Sequence, residues 1–143
     1  MADSPLFDPS TDFGARVAAH LRDDLVVWFT TVSPAGVPMP SLVWFLRQGD
    51  REVVMYSQES TRTRNLAANP HVALNFRSDE RGEHVVVLNG EARVDPTLPP
   101  AHEVPAYLEK YARHIDGLSM TPEQFAADYR VPVRITLQRV RGF

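Results

Sequence analysis

Residues 60–69 read "STRTRNLAAN" and follow directly on "VVMYS", residues 53–57, a run rich in β-branched and aromatic side chains. Ser60 or Thr61 can cap a helix here, and Pro70 requires that it end just before. A helix N-terminus already carries positive potential, so a cation in its first turn is mildly unfavourable. Arg62 and Arg64 stand there nonetheless. An anion would account for them: free backbone N–H groups, the Ser60 and Thr61 hydroxyls and the Arg62 guanidinium could together grip phosphate oxygens. The plainer reading is two solvated arginines pairing with Glu59, and spacing alone favours it.

Working outward, "LVVWFTTVS" (25–33) reads as a strand that stops at the turn "PAGVP". A second strand, "MPSLVWFLR" (39–47), follows, and "QGDRE" turns the chain into the third, "VVMYS". Beyond the helix come "HVALNF" (71–76), "HVVVLNGEARV" (84–94) and the closing strand "VPVRITLQRVRGF" (131–143). Asn89-Gly90 could form a hairpin turn, but strand character on both sides favours a bulge in one long strand. Phe13, Val17 and Leu21 recur at helical spacing after a cap at Thr11 or Asp12. A third helix, from about Ala101, carries the stripe Val104, Tyr107, Leu108 and Tyr111. Thr121 caps a short fourth helix in "TPEQFAADY". The pattern predicts a mainly β domain over 12–143: a six-stranded antiparallel barrel, closed or split, with three to four short flanking helices, preceded by an arm over 1–11.

The chain has 143 residues, 43% hydrophobic, which suits a single domain and leaves no room for a second. A net charge of −3 gives no field favouring nucleic acid or an anionic membrane. No stretch approaches the length of a membrane span, and no leader is recognisable at the N-terminus. With no cysteine, disulfides, thiolate metal sites and a cysteine nucleophile are excluded, in keeping with a cytoplasmic protein. The five histidines are scattered, without the i, i+4 pairing of a zinc helix, so no metal site is expected. No Gly-rich phosphate loop, G-x-G-x-x-G or G-x-S-x-G motif occurs, and no catalytic dyad stands out.

The order of elements around "YSQESTRTRNLAANPHV" carries more information. A strand containing "PSLVWF", a strand ending Tyr-Ser, and then S-T-R-x-R-N-L-x-x-N-P-x-V resemble the pyridoxamine-phosphate-oxidase-like split barrels. The resemblance covers residues 25–95 and the final strand. Members carry a lysine or arginine ahead of N-L-x-x-N-P-x-V that holds the ribityl phosphate of a flavin. The length suggests the short actinobacterial-type branch, many of whose members use the deazaflavin coenzyme F-420 instead of FMN.

The resemblance implies that Arg62 is the phosphate cation, standing where the family usually has lysine. Thr61 and Ser57 would give hydroxyl hydrogen bonds, and Tyr56 would line the same rim. The strand Pro40, Ser41, Leu42, Val43 and Trp44 would run along the ring system. His84 falls near a flavin-contacting glutamine of the oxidases, so that contact is altered here. Asn65 matches the family's asparagine, either touching the cofactor or capping the turn. The basic and histidine residues that hold pyridoxal phosphate near the C-terminus have no counterpart in "RVRGF", so pyridoxamine oxidation is not expected. The implied function is hydride transfer between F-420 or FMN and an electron-poor small molecule, with Tyr56 or Tyr107 as candidate proton donors. The alternative is a flavin- or haem-binding carrier or sensor without turnover. Two copies would form the cofactor groove between them, giving Trp28, Trp44 and Phe45 either a dimer seam or the barrel to fill; for Trp28 the core is the better expectation.

Overall fold

The computed structural model describes residues 5–143. Helix α1 (Asp12–Asp23) is followed by strands β1 (Val27–Val32), β2 (Pro38–Val43), β3 (Leu46–Arg47) and β4 (Glu52–Ser57). Then come helix α2 (Thr61–Ala68), strands β5 (His71–Asn75) and β6 (Val86–Val94), helices α3 (Pro105–Gly117) and α4 (Pro122–Asp128), and strand β7 (Val131–Gly142). A single 3-10 turn at Ala101–Glu103 leads into α3, which therefore begins at Pro105 rather than Ala101.

All pairings are antiparallel, in the order β2-β1-β5-β6-β7-β4-β3. The expected second strand is two: residues through Val43 pair with β1, whereas Leu46 and Arg47 pair with β4 at the opposite edge. This makes seven strands instead of six, and the chain's passage between the two edges at Trp44–Phe45 curls the sheet into a barrel. The break frees the backbone groups of Phe45, which is buried, and the neighbouring helix α3 satisfies them. Its N–H donates to Tyr111 Oη at 2.9 Å, and its C=O accepts from Lys110 Nζ at 2.9 Å. The Tyr111 hydroxyl in turn donates to the Leu25 C=O at 2.6 Å, so one phenol ties the chain just before β1 to the kink.

Two apolar clusters divide the interior. The barrel core takes the inward residues of the sheet, such as Phe29, Met55, Leu74, Leu88 and Ile135, together with Val17 and Leu21 of α1. The second lies outside β4, where Val54 and Tyr56 meet Tyr107, Tyr111 and Ile115 of α3 and Phe125 of α4. Strand β4 is thus covered on both faces, and its sequence is correspondingly apolar without alternation. The residues expected as an arm do pack where they are described: Leu6 and Phe7 lie on the barrel core, and the Asp8 carbonyl crosses α1 so closely that a Cβ on Gly14 would stand 1.7 Å from it.

Strand β6 runs uninterrupted through Asn89-Gly90, so there is no hairpin. The irregularity expected there exists as a register shift: Asn89 opposes Arg139 while Gly90 opposes Leu137, leaving Gln138 of β7 as the extra residue. A Cβ at Gly90 would lie 2.3 Å from the Thr136 carbonyl oxygen, which explains the glycine.

On the outward face the register sets Leu42, Trp28, Asn75, Val87 and Arg141 in one row, and Pro40, Thr30, Ala73, Asn89 and Arg139 in the next. Trp28 therefore does not enter the core but is 44% exposed beside Leu42 at 50%. Phe45 does the reverse, fully buried in the barrel. The alternation of β1 decides this: Val27, Phe29 and Thr31 already take the inward positions.

Candidate functional site

Helix α2 is placed by its buried face, Thr63, Asn65 and Leu66. At its start the Ser60 N–H donates to Thr63 Oγ1 at 3.1 Å, and at its end the Asn69 N–H donates to the Asn65 carbonyl at 2.9 Å. The two arginines go separate ways. Arg64 is exposed, with Nη2 3.3 Å from Thr61 Oγ1. Arg62 is half-buried; its Nε is shut off from solvent without a hydrogen-bond partner, and no carboxylate among the described residues pairs with it. Glu59, the partner expected of solvated arginines, binds Arg130 at 2.8 Å instead. Burial lowers the Arg62 pKa, with Tyr129 opposing it, so the guanidinium is a desolvated cation in want of an anion.

Arg62 lines a cavity of about 280 Å³. Strand β2 and its continuation contribute Leu42, Val43 and Trp44, and β4 contributes Met55, Tyr56 and Ser57. The far wall comes from α3 and α4: Tyr107, Phe125 and Tyr129. The rings form a continuous stack: Trp44 lies 4.6 Å from Tyr111 at 6° and 5.5 Å from Phe125, which lies 4.4 Å from Tyr129. Gln58 Nε2 donates to Asp128 at 3.0 Å, fastening the end of β4 to α4. Among the described residues no carboxylate or histidine lines the cavity to offset the charge of Arg62.

Six of the residues expected to hold a cofactor thus converge here: Leu42, Val43, Trp44, Tyr56, Ser57 and Arg62. Pro40 and Ser41 lie further along β2, and Thr61 is exposed in the first turn of α2. Asn65 is fully engaged inside the protein, its Nδ2 donating to Thr31 Oγ1 at 3.0 Å and reaching Met39 Sδ at 3.5 Å. His84 precedes β6 in a left-handed conformation, φ 60°, with Nδ1 3.6 Å from an Asp79 carboxylate oxygen, and does not line the cavity. Strand β6 begins only at Val86, which leaves His84 on the loop.

The hydroxyls at the site differ in availability. Ser57 Oγ donates to the Gln58 carbonyl at 2.7 Å, and Tyr56 Oη to the Pro99 carbonyl at 2.6 Å. The Tyr107 hydroxyl, fully buried, has no partner. Burial raises the pKa of both phenols, so each stays protonated at neutral pH. Sequence reasoning missed Phe125 and Tyr129, because a helical aromatic stripe signals burial without saying what lies beyond it. Among the described residues no group of three His, Asp or Glu could hold a metal ion, and no helix is long and apolar enough to cross a membrane.

Residues 13–143 match the sequence family described as pyridoxamine 5'-phosphate oxidase, and the chain belongs to that family. No curated protein matches it in sequence. An F420 reductase superposes with a TM-score of 0.62 at 24% identity, covering 86% of this chain and 94% of its own. The heme storage protein HutZ of Vibrio cholerae gives 0.61 at 15% identity, covering 92% and 95%. An FAD-binding protein of Mesorhizobium loti gives 0.58 at 18%, covering 82% of each chain. At these identities the likeness is one of fold, an antiparallel split barrel.

Proposed function

We propose that this chain is an oxidoreductase that binds coenzyme F-420 or FMN and passes a hydride to an electron-poor small molecule in the cytoplasm. The observation that carries the reading is Arg62: a buried guanidinium nitrogen without a partner, on the wall of an aromatic cavity, beside the N-terminus of α2. A phosphate accepting from Arg62 would satisfy that orphaned donor and also meet the helix dipole. Ser57 could turn its hydroxyl from Gln58 to the same anion. The apolar edge of Leu42 and the ring of Trp44 suit a flat tricycle, and both F-420 and FMN present one beside a phosphate. When bound, the cofactor supplies the hydride chemistry. The protein's share is orientation, exclusion of water and a positive charge, which agrees with the absence of a carboxylate or histidine from the cavity wall.

A haem carrier is the other reading the neighbours offer, but no histidine reaches this cavity, which favours the flavin-type ligand. The 280 Å³ available in one chain falls just below the range of ligand sites, roughly 300–1,000 Å³. A second copy on the exposed face of β1 and β2, where Trp28 and Leu42 are apolar and solvent-facing, would extend the cavity from its Leu42 edge. The homodimer is therefore part of the proposal.

The test is fluorescence titration of the protein with FMN and with F-420, on the native chain and on Arg62→Ala. Binding that weakens roughly 10- to 100-fold in the variant, the scale of a charge-assisted hydrogen bond of about 1.5–3 kcal/mol, supports the clamp. Equal affinity in both proteins would refute it, and preference between the two ligands selects the cofactor.

A further inference from the structure

A second residue lining the cavity carries an unsatisfied group, the hydroxyl of the fully buried Tyr107, which stands among rings instead of charges. No neighbouring side chain bonds to it. Tyr56 meets its ring edge-on at 5.2 Å, with its hydroxyl turned to the Pro99 carbonyl; Tyr111 lies 4.9 Å away with its hydroxyl turned to Leu25 and Phe45. Phe125, at 6.2 Å, has no polar atom. An unpartnered buried hydroxyl costs free energy, which an acceptor arriving through the cavity would relieve.

We infer that the Tyr107 hydroxyl is a specificity-determining donor for a neutral, flat ring compound bearing a carbonyl or ring-nitrogen acceptor, lodged against the Trp44, Phe125 and Tyr129 rings. The inference rests on the proposed reading of the cavity as a ligand site and names the class of the second reactant. A charged ligand is disfavoured at this end, because the wall is aromatic and apolar and Arg62, the cation that lines the cavity among the described residues, is assigned to the phosphate. The aromatic stack supplies affinity through burial and ring contact. The hydroxyl supplies selectivity, since a site holding a buried donor discriminates against the analogue without an acceptor.

The experiment uses 1-tetralone and its hydrocarbon counterpart tetralin as probes, titrated against the native chain and Tyr107→Phe by quenching of Trp44 fluorescence in a Trp28→Phe background. Native protein should bind the ketone, and the variant should bind it roughly 5- to 20-fold more weakly while binding tetralin equally or better. Equal losses for both probes, or none for the ketone, or no binding of the ketone to the native chain, would overturn the inference. FMN and F-420 titrations on the native chain separate the two readings: failure of cofactor binding with intact tetralone selectivity refutes the clamp alone.

Discussion

Tyr107 and Tyr111 lie one turn apart on α3, both fully buried, and the same substitution should affect them in opposite directions. Tyr111→Phe keeps the ring stacked on Trp44 but removes the oxygen that accepts from the Phe45 N–H and donates to the Leu25 carbonyl. The Phe45 N–H is then buried without a partner, a loss of about 1–3 kcal/mol, while the Leu25 carbonyl belongs to an exposed residue that water can reach, at about 0.5–1 kcal/mol. The expected sum is roughly 1.5–4 kcal/mol. Tyr107→Phe removes a hydroxyl that bonds to nothing, so the apo protein should be unchanged or more stable by up to about 1 kcal/mol. Urea unfolding at one fixed protein concentration measures both, and for a slope of roughly 2 kcal/mol/M the first variant should lose on the order of 1–2 M in midpoint. A comparable loss in the two variants would refute the assignment of the kink's hydrogen bonds and of the orphaned hydroxyl together.

Gly90→Ala should destabilise by roughly 1–3 kcal/mol in thermal or urea unfolding, because its Cβ meets the Thr136 carbonyl at the bulge; a neutral outcome would mean the register shift relaxes freely. Asp95, buried and held by Thr97 and Arg134 with Arg93 nearby, has its pKa well below the carboxylate range. A depressed folded-state pKa contributes stability that is present above the unfolded value, roughly 4, and is lost as pH falls below it. The stability advantage of the native chain over Asp95→Asn should therefore be constant near neutrality and shrink below about pH 4; a gap that stays constant to acid would show that the charge is not responsible. Trp28→Glu on the exposed face should shift the molecular mass by light scattering from dimer to monomer without lowering the unfolding temperature of the monomer; an unchanged mass would place any dimer seam elsewhere.

Several parts of this arrangement were legible in the residues. The helix over 60–69 was, because its cap and its terminating Pro70 are local signals; so was the bulge at Asn89-Gly90, because strand-forming residues flank it on both sides. The convergence of Leu42, Trp44, Tyr56, Ser57 and Arg62 was legible only through the family pattern, since nothing in local spacing brings residue 44 to residue 62. The strand expected from His84 begins only at Val86, because β propensity continues through "HVVV" whereas the loop from Asp79 reaches to His84 and turns the backbone left-handed there. Asn65 pointed inward because Thr31, buried in the barrel, needed its amide.

The sequence by itself determined the antiparallel barrel, the capped helix with its two arginines, the absence of thiol chemistry and the family. Those follow from local propensity, from composition and from a pattern carried in consecutive residues. The tertiary structure alone decided that "MPSLVWFLR" divides between opposite edges of the sheet, that Arg62 and not Arg64 is the desolvated cation, and that α3 and α4 bring Tyr107, Phe125 and Tyr129 around the same cavity. Burial and hydrogen-bond satisfaction are sums over distant segments. Whether a given arginine or phenol ends with a partner is fixed only when every neighbouring element has taken its place.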